Sequence, residues 1–249
     1  EDFVGRGGRL STSTPVAGLR QVDSGWRVEG SGGHREFEWG FSTIPISRLI
    51  GLLDPAAPSE VIDAAEGLRS RAAVLVCVVL ESAHWTPFDA HYVPDPQVGL
   101  SRTSEPTHYS AERSSADRTG VCIELPCDVG DATWGLSDDD LVRRVQEEVI
   151  GIGLPPLEPL LASEVRRVGG VYPVYDHGYD DRLAAALAHV DQREGLVTLG
   201  RQGLFAHDNT HHALAMSFAA ARCLSGDGAF DATAWESACA GFAEHVVED

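Results

Sequence analysis

The alternation of apolar and polar positions predicts a sheet followed by two helices in the first part of the chain. Residues 9–45 alternate or run β-branched, and "DSG" and "GSGG" interrupt them as turn signals. "ISRLIGLL" and "VIDAAEGLRSR" are typical of helices, and the Pro-rich "DPAAPSE" separates them. We therefore expect several short strands and then a helical pair.

A second predicted sheet begins at residues 72–81, "AAVLVCVVLE". This continuous apolar run is typical of a strand covered on both faces. "HYVPD", "GLSRTSEP" and "GVCIELPC" predict further strands of the same sheet, and residues 136–154 predict an amphipathic helix. Its Asp138–Asp140 cluster lies in the first turn, where the helix dipole favours negative charge, so we interpret the cluster as a cap and not as a metal site.

The last part of the chain predicts helices around one short strand. "YDDRLAAALAHV" precedes the strand "GLVTLG", "THHALAMSFAAARC" follows it, and "DATAWESACAGFAEHVV" is a final helix. The glycine-rich stretches "GRGG", "GSGG" and "GIGLPP" do not form a GxGxxG between a strand and a helix. Neither a dinucleotide-binding nor a P-loop fingerprint is therefore predicted.

Charge and hydropathy exclude several classes of partner. The 249 residues carry a formal net charge of −19, which argues against nucleic acid and anionic membrane surfaces. No apolar run approaches the roughly 18–20 residues that a membrane span needs. All cationic side chains are Arg, so a Schiff-base or P-loop lysine is impossible here. We expect a soluble, cytoplasmic protein without a membrane span.

Cysteine and methionine usage add two expectations. The five cysteines are odd in number and form no CxxC pair, which favours reduced, buried thiols over a metal or disulfide framework. Met216 is the only methionine, and the chain opens on "EDFVGRGGRL". We expect that an N-terminal segment precedes this sequence in the complete protein.

The segment "HDNTHH", residues 207–212, carries the densest candidate chemistry. His207, His211 and Asp208 could ligate a metal, although no distant ligand pattern completes the set. Asp208 or Asn209 could cap the Ala-rich helix that follows. The N-terminus of that helix could also face an anion or a cofactor. The residues alone leave these alternatives open.

Three motifs in the same order resemble the FAD-dependent amine oxidase superfamily, and within it the UDP-galactopyranose mutases and protoporphyrinogen oxidase-like flavoproteins. "TLGRQGLFAHDNTHHALAMSFAAA" is similar to the family's C-terminal flavin-contacting motif. "GGRLSTSTPVAGL" followed by "FSTIP" resembles its strand pair, and "YPVYDHGYDDRL" resembles the segment before its last strand. The resemblance spans most of the chain and implies FAD as cofactor.

Carried over residue by residue, the resemblance implies a set of cofactor contacts. Val16 would offer its backbone to the adenine of FAD, and Gly200 with Arg201 would lie beside the pyrophosphate or ribityl chain. The helix start would reach the flavin's pyrimidine edge through Asn209, Thr210, His211 and His212. A surface ion pair is the alternative role of Arg201. No metal is expected, and no catalytic residue is identified.

Candidate substrate contacts are less specific. In "YPVYD" they are Tyr172, Tyr175 and Asp176, and His207 replaces the family's Tyr. Burial of the tyrosines in a sheet–helix seam is the alternative. The planar fork of Arg102 could hold a diphosphate or carboxylate, but a structural pair between Arg102 and Glu105 is the simpler interpretation.

The resemblance implies an α/β fold in which a mostly antiparallel substrate-domain sheet with helices is inserted between remnants of a Rossmann-like FAD-binding domain. We predict FAD-domain strands in 1–45, a substrate-binding domain in 46–193, and a return to the FAD domain with C-terminal helices in 194–249. The family's GxGxxG unit is absent, so we expect it in cis or on a separate chain. The isolated chain is then expected to be inactive and to lack FAD.

The family implies two reactions. An oxidoreductase transfers a hydride from a small organic substrate to flavin N5, and a mutase isomerises a sugar nucleotide through the reduced flavin. A non-catalytic binding subunit or degenerate relative is the third hypothesis, because the dinucleotide fingerprint is missing.

Overall fold

A computed structural model describes residues 2–109, 116–242 and 244–245 of the chain. The described residues divide into two compact units. The split unit draws on residues 1–69 and 175–249, and the sheet unit spans residues 70–174.

Both units combine helices and strands. The first segment of the split unit contains α1 (Asp2–Gly5), β1 (Val16–Val22), β2 (Gly25–Gly30), β3 (Gly33–Phe37), β4 (Gly40–Ser42), α2 (Ile46–Leu52), β5 (Leu53–Asp54) and α3 (Ser59–Glu66). The sheet unit contains β6 (Ser70–Leu80), β7 (Ala90–Tyr92), β8 (Arg102–Ser104), β9 (Thr119–Cys127), α4 (Asp138–Gly151) and β10 (Leu160–Pro173). The second segment of the split unit contains α5 (Tyr179–Asp191), β11 (Leu196–Thr198), α6 (Gly200–Gly203), α7 (Thr210–Cys223) and α8 (Ala232–Phe242).

Two small sheets bring the distant segments of the split unit together. One has the order β3-β2-β1-β5, and the other is the parallel pair of β4 with β11. The indole Nε1 of Trp26, on β2, donates to the carbonyl of Glu194 at 2.9 Å, and the indole is 1% exposed. α2, α3 and α5 cover these strands with buried residues that include Leu49 and Val190. The predicted association of the early strands with the "GLVTLG" strand is therefore present.

The sheet unit is built on an antiparallel sheet with the order β10-β6-β9-β8-β7. Alternate residues of β6 and β9 pack on α4 through buried side chains such as Val76, Ile123 and Val145. The other face, which we call the second sheet face, carries the intervening residues. On it Val79 is 37% exposed. The strand predicted at 72–81 is confirmed, but its expected coverage on both faces is wrong, because a β-branched run also reflects strand propensity.

The predicted helix over 136–154 is confirmed as α4, and its acidic first turn is part of a cap. The N–H of Asp140 donates to Ser137 Oγ at 3.2 Å, and Asp138–Asp140 lie in the first turn. Helix α8 is described from Ala232 to Phe242, and predicted helical residues 243, 246 and 247 lie outside the described residues. The α/β class with a mostly antiparallel sheet is confirmed.

The units begin and end at other positions than the predicted domains. The unit limits fall at 69/70 and 174/175, whereas the predicted limits fall at 45/46 and 193/194. α2, α3 and α5 belong to the split unit because their apolar faces pack on its strands. The assignment of a cofactor and a substrate domain stays a prediction. Within the described residues, every helix is too short or too polar to cross a bilayer.

Candidate functional site: a glycine turn and a sheet face

The strand β11 runs into a tight turn that packs on β4; residues 199–209 are here called the Gly200 turn. The N–H of Leu199 donates to the carbonyl of Ser42 at 2.9 Å, which continues the parallel pairing. Gly200 is buried with φ +79°, a conformation that favours glycine. A Cβ on Gly203 would lie 2.6 Å from Thr198 Oγ1. Both glycines are thus required for the path and close packing of the turn.

Hydrogen bonds within the turn fix its far end. Arg201 Nη1 donates to the carbonyl of Asp208 at 2.8 Å, and the N–H of Ala206 donates to the carbonyl of Arg201 at 2.9 Å. Phe205 between them has φ +51°, which is uncommon for a residue with a side chain. Arg201 therefore holds the backbone of the turn as well as bringing charge to it.

The end of the turn is the N-cap of α7. Asn209 and His212 form a capping box, in which the N–H of Asn209 donates to His212 Nδ1 at 3.2 Å. The cap predicted at Asp208 or Asn209 is thus at Asn209. Thr210 and His211 are exposed at the first two helical positions, whose N–H groups have no partner inside a helix.

The side chain of Asp208 is buried beneath this helix start. Its Oδ1 lies 3.4 Å from His212 Nδ1, its Oδ2 lies 3.6 Å from His245 Nδ1, and the residue is 4% exposed. The rings of His212 and His245 stack with centroids 4.3 Å apart. Burial, and then the neighbouring imidazoles of His211 and His245, lower the pKa of His212. His212 is therefore neutral at pH 7 and can accept the N–H of Asn209 at Nδ1.

The structure does not assemble the metal-ligand set that "HDNTHH" allows. Among the described residues, the groups with three converging metal-ligating atoms are Asp208, His212 and His245, and His84, Glu105 and His108. Neither contains His207 or His211, both of which are exposed. His245 was missed in the sequence because nothing in its local pattern indicates a contact with residues over thirty positions away.

Tyr175 links the "YPVYD" segment to the Gly200 turn. Its hydroxyl accepts the N–H of His207 at 2.8 Å and donates to the carbonyl of Phe205 at 3.4 Å. Burial raises the pKa of Tyr175, so its hydroxyl remains protonated and able to donate. Asp176 forms an ion pair with Arg182 at the start of α5. Of the predicted substrate residues, Tyr175 and His207 are therefore brought together, and Asp176 fixes the helix start.

On the second sheet face, Arg102 and Tyr172 meet through a residue that the sequence reasoning missed. Arg102 Nε donates to Glu124 Oε1 at 3.0 Å, and the Tyr172 hydroxyl donates to Glu124 Oε2 at 3.2 Å. The guanidinium also lies 5.8 Å from the ring centroid of Tyr92. Burial opposes the charge on Arg102, but the hydrogen bonds to Glu124 and Tyr92 and the charge of Glu124 together outweigh it and raise the pKa of Arg102. An acidic residue inside the apolar strand "GVCIELPC" was the available signal for Glu124.

The predicted pair between Arg102 and Glu105 is wrong. Arg102 lies directly opposite Glu124 in the register of β8 and β9. Glu105 is three positions along the chain and follows the end of β8, so it does not share the face of Arg102. Its carboxylate, 2% exposed, accepts the N–H groups of Trp85 and Thr86 and the hydroxyls of Thr107 and Thr119. These hydrogen bonds outweigh burial and lower the pKa of Glu105.

Val16 lines a cavity of about 240 Å³ in the split unit, together with residues of β2 and β3 such as Glu29 and His34. A cavity of about 1430 Å³ lies elsewhere in this unit, beside Trp39, Gly195 and Trp235. None of the predicted cofactor residues lines the larger cavity.

Comparison with solved structures identifies the fold. A reduced UDP-galactopyranose mutase matches with a TM-score of 0.64 and 14% identity, over 80% of this chain and 43% of its own. A protein assigned as a protoporphyrinogen oxidase from Exiguobacterium sp. 255-15 matches with 0.54 and 19%, over 76% and 42%. Cyclohexylamine oxidase from Brevibacterium oxydans IH-35A matches with 0.58 and 12%, over 76% and 42%.

No family model matches the chain, and no curated protein matches its sequence. The chain spans less than half the length of the solved structures described above. At these identities the likeness shows the fold alone: the chain is similar in fold to these three proteins. The resemblance carried by the three sequence motifs is confirmed at the level of the fold.

Proposed function

We propose that the chain is the substrate-binding and C-terminal flavin-contacting portion of an FAD-dependent oxidoreductase. When bound, the flavin would supply a hydride acceptor at N5 for a small organic substrate. The observation that carries this proposal is the path of the Gly200 turn, which leads from the β4–β11 pair to a capped and exposed helix start. A dinucleotide-binding segment, in cis or on a separate chain, would complete the cofactor site.

The residues of the split unit fit a flavin cofactor. Thr210 and His211 are exposed residues at the positive end of α7, where backbone N–H groups suit an electron-rich edge. The buried Oγ of Ser42, on the strand that pairs with β11, has no hydrogen-bond partner within the described part of the chain. A polar ligand beside the β4–β11 pair would satisfy it.

Each cofactor residue has a role in this proposal. Arg201 places positive charge beside the pyrophosphate or ribityl chain, and Gly200 allows the backbone to approach it. Asn209 and His212 hold the helix start in position through the capping box. Val16 offers its backbone to the adenine from the cavity of about 240 Å³.

On the substrate side, we assign two groups. Arg102 and Tyr172 are held by Glu124 and would bind a carboxylate or diphosphate, with exchange of Glu124 for the ligand at the guanidinium. Within the split unit, Tyr175 and His207 form a separate candidate group for ligand contact, and Asp176 acts indirectly by fixing the start of α5 through Arg182. No metal is assigned a role.

The visible absorption spectrum of the complete gene product tests the proposal. We expect a bound flavin that is bleached under anaerobic conditions by an organic amine or another oxidisable substrate. A colourless complete protein would favour the non-catalytic binding subunit, which the absence of GxGxxG in the 249 residues also supports.

A mutase is the second candidate, because the UDP-galactopyranose mutase fold superposes with a TM-score of 0.64 over 80% of this chain. The two reactions differ in their electron balance. An oxidoreductase leaves the flavin reduced after the substrate half-reaction and needs an electron acceptor to reoxidise it, whereas a mutase requires a reduced flavin and regenerates it. If the protein isomerises a sugar nucleotide only after its flavin has been chemically reduced, the reaction is that of a mutase.

A further inference from the structure

The second sheet face carries two thiols that the proposed function does not use. Cys77 on β6 and Cys122 on β9 lie directly opposite each other in the antiparallel register. Their Sγ atoms are 3.6 Å apart, although the residues are 45 positions apart in the sequence. Both side chains are partly exposed, whereas Cys127 and Cys223 are buried. The two sulfurs are therefore close to each other and within reach of reagents in solution.

A disulfide fits this position without a change in strand pairing. Directly opposed residues of antiparallel strands have Cα atoms about 4.5–5.5 Å apart, which lies within the span of roughly 4.4–6.8 Å found for disulfides. The two sulfurs would approach from 3.6 Å to a bond length of about 2.05 Å. Side-chain rotation can supply that movement, because the backbone is already in place.

We propose that Cys77 and Cys122 form a reversible disulfide on the second sheet face, with a peroxide as the oxidant. One thiol attacks a peroxide oxygen, the O–O bond breaks, and a sulfenic acid and one water form. The other sulfur then displaces the sulfenic hydroxyl, which leaves as a second water when the S–S bond forms. The two thiols lose two electrons and two protons, and hydrogen peroxide takes up both.

The surroundings of the pair disfavour the thiolate form. Burial, and then the neighbouring Cys77 sulfur, raise the pKa of the Cys122 thiol to about 12. The attacking species is a thiolate, so we expect the oxidation to be faster at alkaline pH. Cys122 also pairs with Ser104, two positions from the Arg102–Glu124 pair. The disulfide would therefore tie β6 to β9 beside the proposed substrate residues, whether or not flavin is bound.

The test is peroxide treatment of the whole reduced chain. Hydrogen peroxide should lower the number of titratable thiols in denaturant from five to three, and dithiothreitol should restore all five. Peptide mapping should find one cross-link, between Cys77 and Cys122. Cys127→Ser is the matched control on the same sheet and should leave the cross-link unchanged, whereas Cys77→Ser should abolish it.

Three outcomes would overturn the proposal. They are five thiols remaining after treatment, a cross-link between any other pair, and oxidation of Cys77 or Cys122 to the sulfinic acid without a cross-link. Mapping of the unsubstituted chain decides among them, so the conclusion holds even if a serine variant does not fold.

Discussion

The Gly200 turn is held mainly by hydrogen bonds to backbone groups, whereas the second sheet face carries a cluster of paired side chains. The turn is shaped by two glycines, a backbone contact of Arg201 and the capping box at the start of α7. The sheet face depends on Arg102, Glu124 and Tyr172, which three different strands contribute. A site made from the backbone tolerates changes of side chain, and one made from side chains does not.

This difference would allow the chain to depart at the turn from the motif that it resembles. His207 and His211 stand where that motif has Tyr and Asp, yet Asn209 and His212 still close the cap. The sheet face has no comparable local motif, and any change there alters which groups meet a ligand. We therefore expect that cofactor binding at the turn tolerates changes of sequence among proteins of this fold, whereas the residues of the sheet face determine which substrate this chain binds.

The largest expected effect concerns FAD binding at the Gly200 turn, because the proposed cofactor site is incomplete in the 249-residue chain. The isolated 249-residue chain should hold no stoichiometric FAD, because pyrophosphate normally binds the amides of a glycine turn and helix start that the sequence lacks. The visible absorbance of the purified chain measures this, with the complete gene product as the control. If the isolated chain were yellow and held one flavin per molecule, the cofactor site would not need a further dinucleotide-binding segment, and the proposal would be refuted.

Two carboxylates of the sheet unit should differ in their effect on stability. Glu105→Gln should lower the free energy of unfolding by roughly 2–3 kcal/mol, because buried N–H donors lose a charged acceptor. Glu124→Gln should cost only about 1 kcal/mol, because its partner Arg102 has a side chain 36% exposed to screening solvent. Urea unfolding at neutral pH measures both, and equal losses would contradict the structural role of Glu105.

Glu105 also predicts a pH dependence. Its folded-state pKa is lowered, so its contribution to stability is present above the ordinary Glu pKa and is lost as the pH falls through the depressed value. The stability of the unsubstituted chain should therefore decrease on acidification through this window. Glu105→Gln should show a shallower decrease there, and identical pH profiles would exclude the assignment.

The local sequence pattern was sufficient to predict the helices, the main strands and the cap of α7. It was not sufficient to predict side-chain contacts between strands. The cap at Asn209 follows from a polar residue before a helical run, whereas the cap of α4 was expected at Asp138–Asp140 and lies one position earlier, at Ser137. The Arg102–Glu124 and Cys77–Cys122 pairs depend on the register of strands that are distant in sequence. Neither strand pair is joined by a short turn that would fix its register, so local spacing along the chain does not encode these contacts.

Of the two N-caps, only the one at the Gly200 turn should influence FAD retention when it is substituted. Asn209→Ala and Ser137→Ala should each lower the free energy of unfolding by about 1 kcal/mol, since each removes an N-cap. In the complete protein, only Asn209→Ala should also weaken FAD retention, by about 5- to 150-fold for a loss of 1–3 kcal/mol. Arg201→Ala should behave like Asn209→Ala. Equal flavin retention in the two cap variants would show that the helix start does not face the cofactor.

The smallest expected effect on FAD is that of His207→Ala. The ring of His207 is exposed, and its backbone N–H is held by the Tyr175 hydroxyl at 2.8 Å, which alanine preserves. FAD retention should therefore change less than with Asn209→Ala, while KM for the substrate rises, because His207 occupies the family's Tyr position. Steady-state kinetics with flavin and metal analysis of each variant measure this. Tightly bound zinc that disappears on substitution of His207 and His211, with FAD binding unchanged, would instead make "HDNTHH" a metal site.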